Sequence, residues 1–277
     1  MTTPLHELGL ASDVLVWEAA LLTAMSLAVG ILGGFVGLAL GSMRLPVLLL
    51  LGFSPTLAAG TNIIVSAASA ATGSVRHLRE GRVDRRLVLT MGAPSIAGGF
   101  VGGFYAHRAP ETFLLSIVGV LLFWQGVEFV VRSRDSWSPP GERQESGTGL
   151  AAILRRRRTL TESVSALVIG LLGGAVGLIL GGTRLPVLIR VLRVDPRIAA
   201  GSSMFIGFML GGMGFVAHAF RGNVDYPMVV LMGSTAMVGS YIGARFTGRV
   251  SRANLVTTMG FVLVVMGSAM VWRAFNT

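Results

Sequence analysis

Apolar residues along this chain neither alternate nor fall in narrow stripes; they run on without interruption. Continuous apolar runs lie near residues 14–40, 57–76, 87–106, 113–131, 162–181, 198–218, 227–246 and 254–272. Each is long enough to cross a hydrocarbon core as a helix, which takes roughly 20 residues. A transmembrane barrel would instead show short segments of alternating polarity. The pattern predicts an all-α polytopic membrane protein with about eight transmembrane helices. One polar stretch, VRSRDSWSPPGERQESGTGLAAILRRRR, separates the fourth run from the fifth. It divides the chain into a first transmembrane repeat (1–131), a linker (132–160) and a second repeat (161–277). The opening MTTPLHELGLASD has no basic n-region, and the apolar run after it is longer than a signal-peptide core, so that run is expected to be a retained span.

The two halves resemble each other phrase by phrase. GGFVGLALGSMRLPVLL in the first returns as GGAVGLILGGTRLPVLI in the second. SPTLAAGTN then matches DPRIAAGSS, and VRHLREGRVD matches VAHAFRGNVD. Arg44 falls on Arg184, Pro46 on Pro186, His77 on His218 and Asp84 on Asp225. Each half has an even number of runs, so both should enter the membrane in the same sense, as parallel repeats.

The first run of each half is too long for one crossing. Residues 14–51 would make a helix of about 57 Å. A cut near Gly41, and likewise near Gly181, gives a full span followed by a re-entrant half-helix. Pro46 and Pro186 suit the first turn of that half-helix. Its unpaired N–H groups and positive dipole end would then lie beside Arg44 and Arg184, which together make an anion receptor. The ordinary alternative is that each arginine snorkels to the headgroups at a span boundary. Thr61, Asn62, Ser202 and Ser203 open the next span as small hydrogen-bonding groups, suited to capping a helix, lining a cavity, or both. The glycines before the cut, among them Gly37 and Gly177, recur at helical spacing, as in tightly crossing membrane helices. They are expected to accept alanine but not leucine.

Composition agrees with the pattern. Of 277 residues, 52% are hydrophobic and 13% charged, with 38 glycines; a soluble domain carries about 25% charged residues. Mean hydropathy is +0.72. Cysteine is absent, which excludes disulfides and thiolate metal sites. All 23 basic residues are arginine. They concentrate in the 76–86 and 132–158 regions, which by the positive-inside rule puts the linker and both termini in the cytoplasm of a plasma (inner) membrane protein. The RRRR at 155–158 fits that rule better than it fits nucleic-acid binding. No Asp or Glu lies in the middle of a run; Glu18, Glu128 and Glu162 sit near the ends, so sodium sites and carboxylate proton relays are not evident. His77 and His218 are a matched pair of histidines; they suit a proton relay or, more simply, a structural role at a span end. Hydrolase signatures such as H-E-x-x-H and G-x-S-x-G are missing, so no catalytic residue, metal or cofactor is expected.

Two Gly-Gly-x-Val-Gly-Leu ladders, each leading into Arg-Leu-Pro and then Ala-Ala-Gly-[Thr/Ser]-[Asn/Ser], resemble the TauE/SafE sulfite exporter family, the 4-toluene sulfonate uptake permeases. The likeness runs from about Leu21 to Arg273, apart from the linker. It implies two four-helix repeats around an acid-free apolar core. It also implies transport of an oxidised sulfur anion such as sulfite, thiosulfate or an organosulfonate. Arg44, Arg184, Gly41, Gly181, Pro46, Pro186, Thr61, Asn62, Ser202 and Ser203 are the expected substrate-binding set. A passive anion channel of the same architecture is the alternative. A substrate-free scaffold would carry a large soluble domain or a long charged tail. The expected partners are a small anion and the lipid bilayer, with homo-oligomer formation open.

Overall fold

The computed structural model describes residues 3–36, 40–134, 157–245 and 252–276. Gly37 and most of the 132–160 linker lie outside them. Among the described residues ten helices follow in order, besides two short 3-10 turns: α1 Val16–Val36, α2 Gly41–Leu50, α3 Pro55–Arg79, α4, α5 Glu111–Arg134, α6 Arg158–Val176, α7, α8 Pro196–Ala219, α9 Tyr226–Arg245 and α10 Arg252–Asn276. α4 is composite: Arg85–Leu87, a π turn at Val88–Gly92, then Ala93–Tyr105. α7 is Gly181–Pro186 continued by a π turn at Val187–Val191. Both wide turns adjoin a proline (Pro94, Pro186), whose missing N–H and bulky ring break the regular i→i−4 ladder. No β-sheet occurs among the described residues; a single bridge joins Pro4 to Leu15.

Six of the described helical stretches are long and apolar enough to cross a membrane: Val16–Phe35, Arg85–Arg108, Glu111–Val131, Arg158–Val176, Pro196–Ala219 and Leu255–Asn276. This makes the chain an all-α, multi-pass membrane protein. α3 is 25 residues long but rich in Ala, Ser, Thr and Gly. It packs at the centre against α8, where its neighbours are protein rather than lipid. Outward-facing apolar side chains such as Leu21, Val120, Phe123 and Val265 are the lipid-facing surface such a fold requires.

Around the α3–α8 centre the helices pair across the halves. α1 packs on α9, α4 on α6, and α5 on α10. Glycines bring the backbones together. A methyl built on Gly34 would sit 2.1 Å from the Ser240 carbonyl, and one on Gly243 would sit 2.0 Å from that of Ile31. At the α4–α6 crossing, Gly174 would meet the Gly99 carbonyl at 2.2 Å and Gly102 that of Leu171 at 2.1 Å. In lipid, such close approach gives the van der Waals contact that substitutes for a hydrophobic driving force.

Two expectations about helix ends are corrected. The short helices begin at Gly41 and Gly181, so Pro46 and Pro186 lie inside them rather than in their first turn. Proline's fixed φ fits a helix, and only the i→i−4 bond is lost. α3 and α8 begin not at Ala-Ala-Gly but at Pro55 and Pro196. Their caps are Ser54, whose hydroxyl accepts the Leu57 N–H, and Asp195, whose carboxylate accepts those of Arg197 and Ile198. Thr61, Asn62, Ser202 and Ser203 are therefore interior to their helices and free to make tertiary contacts.

Candidate functional site

Both halves interrupt a helix inside the protein. In the second half α6 stops at Gly177, which caps it at φ +71°, a left-handed conformation that favours glycine. Leu178, Ile179 and Leu180 follow without helical structure, all buried. Non-helical backbone at membrane depth is stable only where protein or a cavity surrounds it. A methyl on Gly177 would lie 2.2 Å from the Ala59 carbonyl and 2.3 Å from its Cα. This corrects the expectation that Gly177 accepts alanine. α2 has 10 residues, about 15 Å of helix, too short to cross.

Asn62 on α3 reaches both interruptions. Its Nδ2 donates to the Gly41 carbonyl and to the Gly177 carbonyl, each at 3.0 Å. Its Oδ1 accepts from Arg44 Nε at 3.3 Å. Arg44 Nη2 donates to Ser66 Oγ at 2.9 Å. Ser66 stands one helical turn beyond Asn62, so the two side chains share a face of α3. Gly41 must be glycine for this packing, because a methyl there would lie 1.9 Å from Ser66 Oγ.

The second half is built differently at the matching positions. Arg184 Nη1 donates to the Ser203 main-chain carbonyl at 3.0 Å. Gly207 stands where the first half has Ser66, and its Cα offers no side-chain oxygen. A methyl on Gly207 would lie 3.9 Å from Arg184 Nη1. Arg184 Nε and Nη2 are buried without a hydrogen-bond partner. Arg44 is 1% exposed and Arg184 0%. Among the described residues neither is part of an ion pair.

The other expected residues go elsewhere. Thr61 Oγ1 accepts the Asp225 N–H at 3.0 Å, and Ser202 Oγ accepts the Asp84 N–H at 2.9 Å. Each hydroxyl thus holds the turn of the opposite half and does not meet an arginine. His218 is fully buried and its Nε2 bonds the Gly174 carbonyl at 2.9 Å. His77 is half-buried near the end of α3, and no hydrogen bond joins it to His218. Gly181 lies close to Ser203 Oγ, at 3.8 Å from a built methyl. Sequence reasoning missed Ser66, although its spacing from Asn62 is a helical repeat. It also missed Gln125 of α5, buried beside Gly182. No group of three or more His, Asp or Glu side chains among the described residues could hold a metal ion.

A multi-pass helical protein with two buried arginines at interrupted helices is a membrane protein built around polar groups in its interior. The family model for "Sulfite exporter TauE/SafE" matches residues 22–270, and the chain belongs to that family. Among similar curated proteins of Bacillus subtilis (strain 168) is the probable membrane transporter protein YunE, 20% identical over 91% of this chain and 97% of that protein. The probable membrane transporter protein YdhB is 24% identical over 86% and 94%, and YjnA, of the same description, 25% over 87% and 97%. No solved structure matches the chain.

Proposed function

We propose that the protein carries a small anion, an oxidised sulfur compound such as sulfite, thiosulfate or an organosulfonate, across the plasma membrane. The observation that carries this reading is the pair Arg44 and Arg184: two guanidinium groups in the interior of a membrane protein, with no carboxylate within ion-pair distance among the described residues. A charge at membrane depth costs at least about 2.5 kcal/mol, so an arginine kept there without a carboxylate serves a ligand or pathway more readily than stability. Sulfur oxoanions enter through the family: the matching model is described as a sulfite exporter. In this reading α3 and α9 complete eight spans and α2 and α7 are re-entrant. The linker and termini face the cytoplasm.

The test is a thermal-shift screen of purified protein against sulfite, thiosulfate, methanesulfonate, sulfate and chloride, followed by counterflow in liposomes. Stabilisation by a sulfur oxoanion with trans-stimulated uptake supports a transporter. Uptake without trans-stimulation makes it a passive anion channel. Absence of stabilisation and of uptake for every anion refutes the reading.

A further inference from the structure

The two matched arginines are used differently, and the difference lies on one edge of the guanidinium. Nε–H and the near Nη2–H project in parallel from the side of the group. That edge is the fork which takes two oxygens of an oxoanion at once. In Arg44 it is already engaged: Nε on Asn62 Oδ1 at 3.3 Å and Nη2 on Ser66 Oγ at 2.9 Å. In Arg184 the same two nitrogens are buried with no partner, and only Nη1 is held, by the Ser203 carbonyl. The sequence accounts for the contrast. Asn62 is matched by the shorter Ser203, and Ser66 by Gly207, which has no side chain at all.

We propose that Arg184 is the anion-binding arginine and that its Nε–Nη2 edge takes two oxygens of one sulfite or sulfonate group. Those oxygens stand where Asn62 Oδ1 and Ser66 Oγ stand against Arg44. Arg44 is a positioning residue: through Asn62 it is tied to the carbonyls of Gly41 and Gly177, and so fixes the two helix interruptions relative to α3. The site is therefore one-sided despite the matched sequence. A buried guanidinium whose Nε and Nη2 are both unpaired is costly; the first half satisfies the same edge with an asparagine and a serine, whereas the second half leaves it open for a ligand.

This inference rests on the anion-transport reading, and the experiment separates the two. Detergent-purified wild type, Arg184→Lys, Arg44→Lys, Gly207→Ala and Gly207→Ser are titrated calorimetrically with sulfite and with methanesulfonate. Chloride, a single atom that cannot bridge the fork, is the control. Arg184→Lys keeps the charge but loses the fork, so oxoanion affinity should fall about tenfold or more, with chloride little changed. Arg44→Lys should lower thermal stability and weaken oxoanion binding clearly less than Arg184→Lys does. Gly207→Ser should bind more weakly than Gly207→Ala. The alanine imposes the same crowding on Ile179, whereas the serine adds a hydroxyl beside the Arg184 guanidinium, whose Nη1 lies 3.9 Å from a built methyl, and so competes with the anion for it. If Arg44→Lys loses as much affinity as Arg184→Lys, or if the two Gly207 variants bind alike, the one-sided assignment is wrong. If wild type binds neither oxoanion, the transport reading falls with it.

Discussion

Gly177→Ala separates two penalties that usually come mixed. Gly177 sits at φ +71°, and any added methyl meets the Ala59 backbone at 2.2–2.5 Å. The left-handed conformation costs a non-glycine residue about 1–2 kcal/mol. Forcing a methyl into a closed backbone contact adds about 1–3 kcal/mol. Gly81 is the internal control, with φ +66° and nothing within 4 Å of a built methyl. Gly81→Ala should therefore carry only the conformational part. The difference between the variants, about 1–3 kcal/mol, measures the clash against α3 alone. At roughly 2–4 °C per kcal/mol for a chain of this order of size, Gly177→Ala should melt about 2–12 °C below Gly81→Ala. The assay is intrinsic-fluorescence thermal unfolding in detergent. Equal melting temperatures would mean that the Gly177–Ala59 contact yields freely, and that the interruption after α6 is not held against α3.

Asn62→Ala removes three hydrogen bonds and strips this partner from the buried Gly177 carbonyl and from Arg44 Nε, at about 1–3 kcal/mol each; it should lower the unfolding temperature clearly more than Thr61→Ala, which removes one, and equal losses would refute the hub role of Asn62. Gly174→Ala, with 2.2 Å to the Gly99 carbonyl, should destabilise the protein, while Gly212→Ala, with open space around it, should not; matching chromatographic and melting profiles would rule out close packing at the α4–α6 crossing. A cysteine at Ser146, in a chain with none of its own, should react with an impermeant maleimide only after lysis, and labelling of intact cells would reverse the proposed orientation.

Much of the architecture was legible because it is written in long-range pattern. The apolar runs located the long helices, and the excessive length of the first run located its break near Gly41. Pairing was not legible. Thr61 and Ser202 look like helix caps in sequence, but their partners are backbone groups of the opposite half, Asp225 and Asp84. The start of α2 was misplaced because proline is permitted both at a first turn and, at the loss of one bond, further in. The match between Arg44 and Arg184 suggested equal roles. Their hydrogen bonding differs through what surrounds them, Ser66 against Gly207, and that shows only once α3 and α8 are seen packed beside the short helices.

The crossed pairing of α1 with α9 and α4 with α6 bears on how the molecule is made. During synthesis the first half enters the bilayer before its partners exist, so the glycine faces of α1 and α4 rest against lipid until α9 and α6 emerge. Lipid tails are as apolar as a leucine side chain, so this waiting state bears little hydrophobic penalty. Neither half can complete these contacts alone, so each crossed pair closes only after its partner helix of the second half has inserted, α4 on α6 before α1 on α9. Two half-chains synthesised separately in one membrane would between them carry both faces of each of these crossed pairs.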